Sequence, residues 1–152
     1  MDDRVFRTAM GKFATGVTVI TTATNEIVHG MTANAFMSVS LNPKLILISI
    51  NNKANMKQFI EESGKFAVNF LSKEQQDVSK CFAGQLIEKK EIEFQWLHDI
   101  PILPDSLVNI VCSLYDTHQG GDHTLYIGEV KDICIQEGTP LTFFEGKYNS
   151  IA

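Results

Sequence analysis

Apolar residues near the start of the chain recur at helical spacing. Phe6, Met10 and Phe13 stand four and three apart, which predicts a helix started by Asp2 or Asp3 and ended by Gly16. The pattern then changes to that of strands. Val17-Thr18-Val19-Ile20-Thr21-Thr22 is β-branched throughout, and the Asn25-Glu26 break with Gly30 beyond it suggests a hairpin into a strand over roughly Ile27 to Val39. Leu45 to Ile50 forms another apolar strand, entered through Asn42-Pro43. A short helix fits Asn55 to Glu62, with Met56, Phe59 and Ile60 on one face and Asn52 or Asn55 as cap. Phe66 to Leu71 alternates again. Ser72 and Gln75 then form a capping box that opens a helix over Glu74 to Phe82.

A polar stretch around Glu88 to Glu93 separates these elements from two long strands, Leu107 to His118 and Thr124 to Gln136, joined through Gln119-Gly120-Gly121-Asp122. Many β-rich segments with only two or three short helices predict a mainly β fold, an antiparallel barrel. They argue against βαβ units. The chain also lacks the GxGxxG of a Rossmann nucleotide site.

Composition narrows the class without changing the architecture. At 152 residues the chain suits one domain, residues 1–152, with one core. Hydrophobic residues make up 44% and charged residues 20%, which are ordinary globular proportions. The net charge of −5 comes with no basic cluster, so no nucleic-acid surface is expected. No apolar run approaches the ~20 residues of a membrane span, and Met1-Asp2-Asp3-Arg4 does not begin a signal peptide. Cys81, Cys112 and Cys134 are widely spaced and form no CxxC pair, as suits a reducing cytoplasm.

Three segments could carry chemistry. Gly30 to Pro43 crowds small and hydroxyl residues into a strand-like stretch, where a flat ring could approach main-chain N–H groups. A Ser/Thr-rich edge strand in water would look the same. Asn51-Asn52-Lys53-Ala54-Asn55 lies between a strand and a helix start, where free N–H groups and a Lys suit a phosphate. An ordinary polar turn fits it equally. His123 follows Gly120-Gly121-Asp122 and could be oriented by the adjacent carboxylate toward a pocket; it could also be a plain loop residue. His29, His98 and His118 show no metal-ligand spacing, so no metal is assigned. No Gly-x-Ser-x-Gly elbow or carboxylate pair points to a hydrolase.

Taken in order, these segments resemble the short-chain flavin reductase family, which includes the reductase components of two-component flavin-dependent monooxygenases. The resemblance rests on Phe13 to Thr22, Gly30 to Pro43, Phe66 to Leu71, Gly121-Asp122-His123 with Gly128-Glu129-Val130, and Pro140 to Tyr148. It implies a Greek-key-like split β-barrel and a homodimer that holds FMN, or FAD, where two subunits meet. Carried over by position, Thr32, Ala33, Asn34 and Ala35 would lie along the isoalloxazine, with Ser38 and Ser40 beside the ring or ribityl chain. Asn51, Asn52, Lys53 and Asn55 would take the phosphate, and Phe82 and Ala83 would lie close to the flavin. His123 would sit beside the nicotinamide of NADH or NADPH. The chain departs from the family in two places. Lys80-Cys81 precedes Phe82 where an Arg is common, and Ala54 and Met56 replace frequent Ser or Thr.

The implied activity is hydride transfer from a nicotinamide cofactor to flavin, with reduced flavin passed to a partner monooxygenase. An electron carrier holding FMN tightly, or a flavin store without turnover, are the competing classes. The Gly-Asp-His segment favours the reductase, because a carrier needs no dinucleotide site.

Overall fold

The computed structural model describes residues 1–84 and 92–151; most of the expected polar stretch around Glu88 lies outside them. The first helix, α1 (Asp3–Gly11), is capped by Asp2, whose Oδ1 accepts from the Arg4 N–H at 2.8 Å. It ends at Gly11 and not at Gly16, which instead belongs to the short strand β1 (Thr15–Gly16). The Glu145 N–H donates to the Gly11 carbonyl, and Lys12 pairs with Glu145 at 2.9 Å, so the chain is pulled out of helix there.

Strands β2 (Thr18–Thr24) and β3 (Ile27–Ala33) form a hairpin whose turn residues, Asn25 and Glu26, both adopt positive φ. The single strand expected over Ile27 to Val39 is in fact two. Asn34 and Ala35 interrupt it, and β4 (Phe36–Leu41) follows on the far side of the sheet. Strand β5 (Lys44–Asn51) turns back from β4 through Asn42-Pro43, whose peptide bond is cis. Next come α2 (Asn55–Ser63), closed by Gly64 in the left-handed region, and β6 (Lys65–Phe70). The capping box of Ser72 and Gln75 opens a 3₁₀ turn that leads into α3 (Gln76–Phe82).

Hairpin β7 (Gln95–Leu97) and β8 (Ile100–Ile102) precedes the long pair β9 (Val108–Gly120) and β10 (His123–Ile135). The chain closes with β11 (Leu141–Phe144) and β12 (Lys147–Ser150), which join β1 in a small sheet.

The main sheet has seven antiparallel strands in the order β3-β2-β6-β9-β10-β5-β4. Its two border strands, β3 and β4, are consecutive in the chain and only two residues apart. Such a sheet must curl until its borders meet, which is the split barrel that the sequence implied. Ile20, Ile46, Ile48, Ile50, Phe66, Val68 and Tyr126 fill its interior, with Met56 and Ile60 of α2 packed on them. Buried polar groups on the other face are bonded. Asn69 donates to the Val19 carbonyl and accepts from Asn109 and the Leu103 N–H, tying β2, β6 and β9 to the loop after β8. Cys112 is fully buried, and burial pushes its thiol up to about 12, so it is a core residue and not a nucleophile. Cys134 is only half-buried, and all three cysteines are free thiols.

Candidate functional site

Strand β5 ends at Asn51 and α2 begins at Asn55, so the turn between them is anchored by its own asparagines. Asn51 Oδ1 accepts from the Lys53 N–H at 2.9 Å, and the Ala54 N–H donates to the Asn51 carbonyl at 2.9 Å. The N-cap of α2 is Ala54, with no side-chain cap, where Asn52 or Asn55 was expected. The reason is that Asn52 is engaged elsewhere. Its Oδ1 accepts from Thr124 at 2.5 Å, and its N–H donates to the Asp122 carbonyl at 2.9 Å. Asn55 is already the first helical residue. The opening turn of α2 therefore presents main-chain N–H groups without a side-chain acceptor, beside exposed Lys53. Asn52, Lys53, Asn55 and Lys57 line a shallow depression there, which Glu61 and Glu62 also border. Lys57 and Glu61 pair at 2.7 Å, and this bond is the main reason the Glu61 carboxyl lies below its usual range.

A groove of about 650 Å³ leads from this helix end along β3. It is walled by His29, Gly30 and Met31 on one side, by Ala54, Asn55 and Phe59 on another, and by Phe82 of α3. Gly30 is required for this shape. A Cβ there would lie 2.5 Å from the Phe82 ring, so glycine lets Phe82 rest on the strand. His29 stacks on Phe59 with ring centroids 3.4 Å apart and planes 9° from parallel. Burial lowers the His29 imidazole, against a smaller upward pull from Glu62. His29 and Phe59 were not among the expected site residues, and Gly30 entered only as the start of the small-residue segment. The glycine inside a strand pattern was the available signal for a close approach of this kind.

Farther along β3, Thr32, Ala33 and Asn34 line a smaller cavity of about 180 Å³ together with Ser79, Ala83 and Tyr148. The Thr32 hydroxyl donates to the Ser79 carbonyl at 2.6 Å, and the Ala33 carbonyl accepts from Thr18 at 2.6 Å. Asn34 and Ala35, both exposed, also reach a larger apolar cavity of about 650 Å³ walled by Phe13, Phe36, Met37 and Phe70. Ser38 and Ser40 lie on border strand β4, on either side of a register shift against β5, and line none of these cavities.

His123 opens β10 directly opposite Asn51 of β5. Its Nδ1–H donates to Asp122 Oδ1 at 2.7 Å, and its side chain is partly exposed. That bond, followed by the charge of His123, holds the Asp122 carboxyl below its usual range; nearby Lys53 adds a small part. Within one chain, then, His123 adjoins the Asn51–Lys53 turn and shares no described cavity with Thr32 to Ala35. Lys80 leans toward Tyr148, 6.0 Å from the ring centroid. Among the described residues, no group of three His, Cys, Asp or Glu side chains is placed to hold a metal.

Comparison with known proteins fits this arrangement. The chain is 43% identical over 148 residues to an NADH-dependent flavin reductase of Rhodococcus sp, covering 95% of this chain and 84% of the relative. It is 34% identical to the reductase component of 4-hydroxyphenylacetate 3-monooxygenase of Thermus thermophilus, covering 96% and 95% of the two chains. The solved structure of flavin reductase PheA2 in its native state superposes with a TM-score of 0.99 at 58% identity, covering 100% of this chain and 99% of that one. The flavin reductase like domain profile matches residues 10–152, and the chain belongs to that family.

Proposed function

We propose that this protein is an NADH-dependent FMN reductase that supplies reduced flavin to a partner monooxygenase. One observation carries the reading: a groove past Gly30 and Phe82 opens at the uncapped start of α2, and the small-residue stretch Thr32 to Asn34, which lines a second cavity, follows directly in the chain. An anionic end, a polyol chain and a flat ring follow one another in FMN in that order. The donor set fits. Lys53 and the α2 N–H groups suit the phosphate, and Asn51, Asn52 and Asn55 shape that end. Ala33, Asn34, Ala35 and Ala83 leave main chain accessible to the ring, with Phe82 against its flank.

FMN bound there supplies the hydride-accepting chemistry. The chain's own part is to bind and orient. As a border strand, β3 has one edge without a strand partner among the described residues, so main-chain N–H groups are available to stabilise negative charge on a ring edge. Asp122 fixes the His123 ring so that Nε2 can bond to a dinucleotide. Ser38 and Ser40 would meet the cofactor only from the outer border of the barrel. The protein works as a single-domain homodimer in the cytoplasm. The exposed apolar face of α1 and the large apolar cavity beside Ala35 support the dimer, and no described helix is long and apolar enough to cross a membrane.

The test is consumption of NADH by the purified protein in air, followed at the nicotinamide absorbance band. A rate that scales with added FMN is expected. NADH left untouched with either FMN or FAD present would refute the reductase, and a yellow protein inert to NADH would favour an electron carrier.

A further inference from the structure

Ser79 is tied to three neighbours beside the proposed ring cleft, although no motif drew attention to it. It is fully buried on α3, three residues before Phe82. Its carbonyl accepts twice, from the Thr32 hydroxyl at 2.6 Å and from the Ala83 N–H at 3.0 Å. Its own hydroxyl is bonded to the Tyr148 hydroxyl at 2.7 Å. Tyr148 comes from β12, in the separate three-stranded sheet, and packs edge-on against Phe143 with centroids 5.2 Å apart. One residue therefore links three walls of a single cavity: Thr32 on β3, Ala83 after α3 and Tyr148 on β12.

The bond from Ala83 to Ser79 is the ordinary last turn of a helix, and alone it would mean nothing. The other two contacts run between elements 47 and 69 residues apart in the chain. The first ties α3 to β3 and the second ties α3 to β12, so together they anchor α3 beside the gap between Thr32 and Ala83. We propose that Ser79 and Tyr148 are positioning residues that hold this gap at the width of a flavin ring, acting through Thr32 and Ala83 and not by touching the reacting atoms. The inference rests on the FMN reading given above. The hydrogen bond between the two hydroxyls is neutral and shielded, so losing it should weaken ring binding by a modest factor and leave the chemical step alone.

The experiment compares Ser79→Ala, Tyr148→Phe and the double variant with the unaltered protein. Each single change removes one hydroxyl and nothing else. The dissociation constant for FMN is measured by quenching of flavin fluorescence, and melting temperature is recorded in parallel. Each single variant is expected to bind FMN about fivefold more weakly, with turnover at saturating FMN within about twofold of the original. The double variant should be no weaker than either single one, since both break the same bond. Unchanged FMN affinity in a folded variant, whatever its melting temperature, would show that the clasp is merely structural and overturn the proposal. Additive losses would overturn it too, because the two hydroxyls would then act separately. Failure of the unaltered protein to bind FMN at all would instead refute the FMN reading, and the clasp with it.

Discussion

At the scale of single residues, the histidine at the start of β10 is defined by what holds it. Asp122 accepts a hydrogen bond from its Nδ1–H, and the same bond holds that carboxyl below its usual range. The imidazole ring is thus held in one orientation by the neighbouring carboxylate. A group placed this way binds a cofactor better than it transfers protons. His123→Ala is expected to raise KM for NADH about three- to tenfold while turnover at saturation stays within about twofold. Steady-state kinetics with KM unchanged would remove His123 from the site. The location of His123 was not foreseeable in detail. The Gly-Gly-Asp turn could be read from the sequence, but not its pairing with Asn51, which depends on β5 lying next to β10.

Among the elements, β10 shows how closely the barrel wall is fitted. Gly128 is buried at a register shift against β9, and a Cβ on it would lie 2.7 Å from the Phe66 ring and 2.8 Å from Cys112 Cβ. Neither neighbour has room to retreat, because both are fully buried. Gly128→Ala is expected to cost about 1–3 kcal/mol, read as a lower midpoint in urea unfolding. A midpoint equal to that of the original would mean that the wall gives way more easily than its packing suggests. The strongly periodic elements were legible. β2, β5, β6, β9 and β10 appear where β-branched, apolar or alternating runs put them, and Ser72 with Gln75 does form the capping box. Element ends were less so. Periodicity continues across Asn34-Ala35, so nothing local announced that the strand there divides and changes sides of the sheet. The two-residue β1 and the three-residue β7 and β8 are too short to carry a period at all. The cap of α2 was misplaced because Asn52 is recruited by Thr124, a partner 72 residues away.

For the molecule as a whole, α1 is the unfinished part. It buries none of its own residues, and Val5, Phe6, Met10 and Phe13 stay at least half exposed in the isolated chain. Burying such a face is the natural work of the proposed second subunit. Sedimentation is expected to show a dimer at micromolar concentration, and Phe6→Glu combined with Met10→Glu should weaken it about 100-fold or more. A dimer that survives both changes would place the interface elsewhere. The candidate site was legible as segments and not as an assembly. Each of its stretches could be marked out along the chain, but Ser79, Tyr148 and His29 join them only through folding.

The two-residue link between β3 and β4 has one more consequence. Asn34-Ala35 is the only covalent tie across the open side of the barrel within the described residues, and at full extension it lets Ala33 and Phe36 part by about 10 Å. Any breathing that parts the two borders must pivot on that stitch, as the arms of tongs turn on their bow. Whatever lodges beside it sits at the fulcrum, where the opening moves least.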